Sequence, residues 1–258
     1  MNTKTLSPRA LSVIDQYLHF KVGAAVCSVP YMNNKTLKAR GALPAYMGKG
    51  SPKEIAEEAS GFLLKNHIRI DSLADESLKK LLVDRGLGID CSALAYYILN
   101  AESEETTKGS LDKHLHFVQS HGLVGKFMSR IRPANNTGVL TLADEKNSAP
   151  VPTGKAQPGD MVIMLGDPDD KERNHILVIH QVDYQNFMPT KLFYSHAVAY
   201  PEDGEYGTGI KQGSIEIMDP AKGLLDQKWS ENGKEGSANN IFVRAQKSKT
   251  ELRRLKWL

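Results

Sequence analysis

Cysteine is scarce in this sequence, since only Cys27 and Cys91 occur among its 258 residues. Two cysteines cannot form the several bridges that hold a small secreted domain together, so we expect two free thiols in a reducing compartment. Long apolar runs are also missing: the stretches at residues 22 to 29 and 161 to 165 are far shorter than the roughly 20 residues of a membrane-spanning helix. These absences exclude a disulfide scaffold and predict no membrane partner.

An excess of charge of one sign is equally small. The chain has 33 Lys and Arg against 30 Asp and Glu, a formal net charge of +3. That excess is too small to predict a nucleic-acid partner, and much of it lies in residues 247 to 256, which we interpret as a solvated terminal tail. Residues 1 to 8 lack the basic-then-apolar order of a signal peptide. We therefore expect a cytoplasmic protein, or export by a non-Sec or phage-associated route.

The first half of the chain has the apolar spacing of helices. Ser7 and Pro8 are typical of an N-cap and first helical turn, and the apolar residues that follow share one face. Ser51 is predicted to cap a second helix. Four further segments are predicted to be helical: residues 52 to 65, 72 to 85, 91 onwards and 110 to 131.

The second half of the chain has the spacing of strands, with short β-branched and aromatic runs between turn residues. The predicted strands are residues 161 to 165, 175 to 182, 192 to 200, 214 to 218 and 241 to 245. Helices followed by antiparallel strands define an α+β fold, in which the N-terminal helices pack on an antiparallel β-sheet. We expect a single domain over residues 1–258.

The segment around Cys91 carries the first chemical signal. Asp90 precedes the thiol and helix-forming residues follow it, which places Cys91 at a helix N-terminus. The unpaired backbone N–H groups and the positive end of the helix dipole favour an anion there. Such a setting lowers the pKa of a thiol and activates it as a nucleophile. The alternative interpretation is a buried structural cysteine at the start of a helix.

Two histidines of the strand half complete a nucleophilic site. His175 begins a predicted strand, where its ring can meet a helix N-terminus docked at the end of the sheet, and His196 on the next strand can bind the second ring nitrogen. His175 and His180 are five residues apart, so they point to opposite faces of a regular strand. Only one of them can face Cys91; we choose His175 as the general base and interpret His180 as structural.

Three other histidines, at positions 114, 116 and 121, form a cluster that could suggest a metal site. Metal ligands on a helix are spaced by three or four residues, and these spacings differ. We therefore predict neither a metal nor a cofactor.

Four motifs occur in the order found in the NlpC/P60 cysteine peptidases. They are Asp90-Cys91-Ser92, Pro158-Gly159-Asp160, His175-Ile176 and Ser195-His196-Ala197. The chain resembles this family over about residues 80 to 220, although Ala93 stands where the family usually has glycine. The resemblance implies a papain-like core, in which a helix bearing the cysteine packs on a sheet bearing its two polar partners. Residues of about 1–80 would then be an N-terminal helical extension, and about 101–157 an insertion.

The resemblance also implies a role for each matching residue. Cys91 is the nucleophile, His175 the general base and His196 the residue that orients it, while the backbone N–H of Cys91 contributes to the oxyanion hole. The residues implied to bind substrate, around its free amine, are Tyr31, Asp90 and Ser92.

The expected reaction is hydrolysis of an amide bond through an acyl-enzyme, with a peptidoglycan peptide as the substrate and partner of a monomeric enzyme. Two alternatives remain open. One is an acyltransferase or protein deamidase that uses the same three residues. The other is a non-catalytic cell-wall-binding module on a degenerate peptidase fold.

Overall fold

The structure is a computed structural model that describes residues 2–33, 43–106, 109–118, 131–166 and 174–258. Within these ranges, no helix is both long enough and apolar enough to cross a bilayer. The predicted α+β class is confirmed: helices pack against an antiparallel sheet.

The helices begin where the sequence places their caps. The Ser7 side chain accepts the backbone N–H of Ala10, and Ser51 forms a capping box with Glu54. The helices of the described residues are α1 (Pro8–Leu18), α2 (Pro52–Lys65), α3 (Asp75–Asp84), α4 (Cys91–Thr106), α5 (Pro133–Asn136), α6 (Val139–Ala143) and α7 (Asn240–Gln246). The prediction of a helix beginning at Cys91 is confirmed. The predicted helix at 110 to 131 is wrong over residues 110–118, where only Leu111–Lys113 forms a 3₁₀ turn, and residues 119–130 lie outside the described ranges.

Among the described residues, nine strands form one antiparallel sheet and two form a separate hairpin. In the large sheet the order is β10-β9-β8-β7-β6-β5-β11-β4, and β1 also pairs with β6. The strands of the large sheet are β1 (Asn2–Thr5), β4 (Ser148–Pro150), β5 (Met161–Leu165), β6 (His175–Gln185), β7 (Met188–Val198), β8 (Gly209–Glu216), β9 (Lys228–Glu231), β10 (Lys234–Glu235) and β11 (Lys249–Leu255). The hairpin consists of β2 (Phe20–Val22) and β3 (Ala25–Cys27).

The sheet is buried on both faces, which explains the nearly continuous apolar sequence of its central strands. On β6, Ile176 and Val178 belong to the core that includes α1, α2 and α4. Leu177 and Ile179 belong to a second core that includes α7 and β9. The alternation along β6 therefore divides its side chains between two separate cores.

Two predictions for the C-terminal region are wrong. Residues 241 to 245 form helix α7 and not a strand, with the Asn239 side chain capping its N-terminus. The segment interpreted as a solvated tail is instead β11, which lies between β5 and β4. The charged residues of β11 made it resemble a solvated tail in the sequence. In the structure Arg253 is buried against Ser148, and Arg254 forms an ion pair with Asp160. Tertiary partners here override a polar local sequence.

The Arg254–Asp160 pair gives a test of the fold. Arg254 Nε lies 2.6 Å from the fully buried carboxylate of Asp160, in the turn that leads into β5. We expect Arg254→Met to lower the free energy of unfolding by about 2–3 kcal/mol, because it leaves a buried carboxylate without its cation. Urea denaturation would measure this change. Lys256→Met, at an exposed position of the same segment, is the matched control, and equal effects of the two substitutions would contradict the assignment.

Candidate active site

Cys91 lies at the first position of α4 because the preceding aspartate caps the helix. The Asp90 carboxylate accepts the backbone N–H of Ala93 at 2.8 Å. The thiol is 7% exposed, and the backbone N–H of Ile176, the residue after His175, lies close enough to act on its pKa. The helix N-terminus and the beginning of β6 therefore meet at the thiol.

His175 begins a chain of three buried polar side chains. Its Nε2 lies 2.8 Å from Nδ1 of His196, and Nε2 of His196 lies 2.7 Å from the Glu231 carboxylate. All three residues are less than 5% exposed. The second oxygen of the Glu231 carboxylate accepts the hydroxyl of Tyr200 at 2.8 Å.

The sheet register explains why these side chains meet. Val178 pairs with Ser195 in the antiparallel β6–β7 ladder, so His175 and His196 are diagonal neighbours on one face. Glu231 on β9 pairs with Gly213 on β8, which pairs with Tyr194, two residues before His196. The sequence motifs predicted the histidine pair. Glu231 lies 35 positions after His196, and no sequence signal predicts this third contact.

The chain of hydrogen bonds determines where the protons lie. A carboxylate only accepts, so Nε2 of His196 donates its proton to Glu231. With its ring proton on Nε2, His196 presents Nδ1 as the acceptor for Nε2–H of His175. This leaves Nδ1 of His175 as a lone pair, which is the form that a general base requires. Among the described residues, no hydrogen bond joins His175 to Cys91, and such catalytic contacts are often long before substrate binds.

His180 is outside this chain. Its Nδ1 lies 3.0 Å from Oγ of Ser195, which faces away from His196 on the same strand. Burial lowers the pKa of His180 to about 4. The structure thus separates the two strand histidines as strand parity predicts.

Tyr31 reaches the site although sixty residues separate it from Cys91 in the sequence. It forms a parallel bridge with Ile89, directly before the Asp90-Cys91-Ser92 motif. Burial is the main cause that raises the pKa of Tyr31 to about 12, and the nearby Cys91 acts in the same direction. The structure therefore brings Tyr31, Asp90 and Ser92 together around the thiol.

Two cations near the thiol were missed by sequence analysis. Lys49 lies two residues before the predicted helix cap Ser51, and its Nζ lies 2.9 Å from Asp90 and 2.7 Å from Oγ of Ser92. Arg244 lies on α7, which was predicted to be a strand, and its charge lowers the pKa values of Cys91, His175 and Tyr31. Neither residue stands in a motif, so only the folded chain reveals them.

A polar cavity of about 420 Å³ opens beside Cys91. Its described lining comprises Tyr31, Asn33, Met47, Lys49, Asp90, Cys91, Ser92, Asn135, Asn136, Thr137, Gly138, Val139, Leu140, Thr141 and Asn174. The cavity is large enough for a peptide segment. Asn174, the residue before His175, is part of the cavity wall, so the cavity adjoins the hydrogen-bonded chain of His175, His196 and Glu231.

The electrostatics of Cys91 correct one sequence-based expectation. We expected the helix N-terminus to lower the thiol pKa, but burial, together with the Asp90 carboxylate, raises it to about 12. Lys49, Arg244 and the Ile176 N–H act in the opposite direction and do not compensate. Burial, followed by the charge of Arg244, also lowers the pKa of His175. The resting pair is therefore a neutral thiol and a neutral imidazole.

No protein-family model, no curated protein and no solved structure matches this chain.

The raised pKa of Cys91 makes a testable prediction. Only the thiolate reacts with iodoacetamide, so between pH 6 and 9 the alkylation rate of Cys91 should rise about tenfold per pH unit without a plateau. Cys27 is an internal control, since burial raises its pKa to about 11 and its side chain is more exposed. We expect it to react faster than Cys91 throughout this range. Peptide mass spectrometry measures both rates, and a plateau for Cys91 near pH 6 would instead indicate a resting thiolate–imidazolium pair.

Proposed function

We propose that this chain is a cysteine hydrolase that cleaves an amide bond, with Cys91 as nucleophile, His175 as general base and His196 as the residue that orients the base. One observation carries the proposal. The hydrogen-bonded chain from Glu231 through His196 to His175 ends directly before Ile176, whose N–H contacts the Cys91 sulfur. A buried structural cysteine has no need of such a chain.

The proposed reaction begins from the neutral pair. As the Cys91 sulfur attacks the substrate carbonyl carbon, Nδ1 of His175 takes the thiol proton, and the new oxyanion lies at the N-terminus of α4 near the Cys91 backbone N–H. The imidazolium then gives its proton to the leaving nitrogen as the C–N bond breaks. Water activated by His175 hydrolyses the thioester and restores the thiol. The negative charge of Glu231, which is hydrogen-bonded to His196, stabilises the protonated ring of His175 between these steps.

The substrate class rests on the motif resemblance to the NlpC/P60 peptidases. We propose a peptidoglycan peptide as the substrate, a papain-like arrangement of the core, and action as a monomer. The polar cavity beside Cys91 supports a peptide, because its asparagine and threonine side chains can both donate to and accept from amide groups.

A non-catalytic binding module is the second candidate, because the thiol is protonated and lacks a hydrogen bond to His175. On that alternative the cavity would hold a cell-wall peptide without cleaving it. An acyltransferase or deamidase would use the same site and differ only in the group that attacks or leaves.

One experiment separates these functions. The protein is incubated with muropeptides and with a panel of protein substrates, with glycine amide as an added acceptor, and products are identified by mass spectrometry beside a Cys91→Ala control. Cleaved peptides with free carboxylates would support hydrolysis, and glycine amide adducts would indicate acyl transfer. Deamidation would add about 1 Da without cleavage. Binding of muropeptide without any Cys91-dependent product would reject the hydrolase and favour the binding module.

A further inference from the structure

We infer that Lys49 excludes a substrate ammonium from the cavity beside Cys91, so that this site takes a peptide whose amino end is acylated. The inference rests on the proposed function in one respect, since it names the substrate class of the same site. It differs from what the family resemblance implies, which is a free amine held by Asp90 and Ser92.

The contacts of Lys49 use all of its donors. Its Nζ lies 2.9 Å and 3.1 Å from the two oxygens of Asp90, 2.7 Å from Oγ of Ser92 and 3.2 Å from the carbonyl oxygen of Thr137. An ammonium has three N–H donors and no acceptor. Its side chain is 12% exposed, so the charge is largely removed from water and depends on these partners. Lys49 therefore occupies the position between Asp90 and Ser92 that a substrate amine would need.

Asp90 has little capacity for a second cation. Its carboxylate already accepts the backbone N–H of Ala93 and the hydroxyl of Ser92, both at 2.8 Å, besides the ammonium of Lys49. A substrate ammonium would have to displace Lys49, which would leave a largely buried cation without its partner. If Lys49 stayed, two like charges would lie in contact, and both arrangements are unfavourable in a site removed from water.

The remaining lining favours an uncharged ligand. Among the lining residues that the structure describes, Lys49 and Asp90 are the only charged ones, and they neutralise each other. The other polar groups are neutral: Asn33, Asn135, Asn136, Asn174, Thr137, Thr141, Ser92 and Tyr31. Neutral amide and hydroxyl side chains can form hydrogen bonds with the amide groups of an acylated peptide, which brings no charge that the site would have to neutralise.

This chemistry selects between two forms of a cell-wall peptide. In the intact wall the amino end of the stem peptide is acylated by the glycan strand, whereas a released stem peptide has a free ammonium. The site should therefore act on stems that are still attached and reject released ones, since an unpaired charge at a specific position opposes binding.

The test uses one cell-wall stem tripeptide in two forms, with a free amino terminus and N-acetylated. We expect wild-type kcat/KM to be at least about tenfold higher for the acetylated form. Lys49→Met keeps the length of the side chain and removes its charge, so the preference should fall by about tenfold or more. Lys53→Met, at a highly exposed position on α2, is the matched control and should keep the wild-type preference. Equal cleavage of both forms by the wild type, or a preference for the free amine, would overturn the inference.

Binding separates this inference from the proposed hydrolase. Calorimetry of both tripeptides with Cys91→Ala requires no turnover and no substitution at Lys49. Binding of the acetylated form at least about tenfold more tightly would support the inference, even if the wild type cleaves neither peptide and the hydrolase proposal fails. Equal binding of the two forms, or no binding of either, would overturn it whatever the catalytic result.

Discussion

Replacing His175 by alanine is expected to lower kcat/KM for amide hydrolysis by about 10³-fold or more. The raised pKa of Cys91 means that the resting thiol is protonated, so attack requires a base to remove its proton during the reaction. Among the described histidines, only His175 directly precedes Ile176, which lies at the thiol, and also has a hydrogen bond to His196 that orients its ring. Residues that act as one unit lose most of the activity when any one of them is removed.

His180→Ala is the matched control for this prediction. The two histidines lie five residues apart on β6, and burial lowers the pKa values of both. We expect kcat/KM of His180→Ala to remain within about threefold of the wild type, because its partner is Ser195 and not the thiol. Circular dichroism would verify that both variants fold. A loss for His180→Ala that equals the loss for His175→Ala would refute the assignment of the base.

The second large effect is expected for Glu231→Gln, with a decrease in kcat of about 10²-fold or more. Glutamine keeps the shape of the side chain, but its amide nitrogen can donate to Nε2 of His196. That contact would move the His196 proton to Nδ1, where it faces Nε2 of His175. His175 would then hold its own proton on Nδ1 and lose the lone pair that accepts the thiol proton. A tautomer change of this kind affects kcat far more than KM.

Glu235→Gln, an exposed carboxylate on the short strand next to β9, should leave kcat unchanged. A purely structural role of Glu231 would instead lower the melting temperature while the folded fraction kept its wild-type kcat. The split between kcat and stability therefore distinguishes positioning of the base from support of the fold.

The charge of Glu231 also predicts a dependence of stability on pH. Burial by itself would raise its pKa, but His196 and the hydrogen bonds to it and to Tyr200 leave the pKa lowered. A folded pKa below the unfolded value of about 4.3 means that ionised Glu231 contributes stability above that pH, and that the contribution is lost as the pH falls through the folded pKa. Urea denaturation between about pH 6 and pH 3.5 should show a smaller loss for Glu231→Gln than for the wild type.

Strand parity and motif order predicted which side chains meet at the candidate site. The N-caps at Ser7 and Ser51 and the start of a helix at Cys91 follow from local backbone chemistry, which acts over only a few residues. The pairing of His175 with His196 follows from two adjacent strands and a period of two. These features are visible in the sequence because each depends on near neighbours or on one short connection.

The C-terminal errors have the opposite origin. Residues 249 to 255 contain four charged side chains, and the two adjacent arginines, Arg253 and Arg254, bind Ser148 and Asp160 in distant parts of the chain. No local pattern distinguishes such a strand from a solvated tail, because Ser148 and Asp160, which bind the two buried or partly buried arginines, lie outside the segment. A separate wrong prediction, of a strand at residues 241 to 245, left helix α7 and its Arg244 out of the predicted surroundings of Cys91.

The sequence by itself determined the thiol at a helix N-terminus, the two strand histidines and the polar residues beside them. Only the tertiary structure decided that Glu231 completes the histidine chain, that Lys49 fills the space between Asp90 and Ser92, and that Cys91 rests as a thiol. The physical reason is that a pKa depends on burial and on charges from every packed element, whereas helix caps and strand alternation depend on a few adjacent residues.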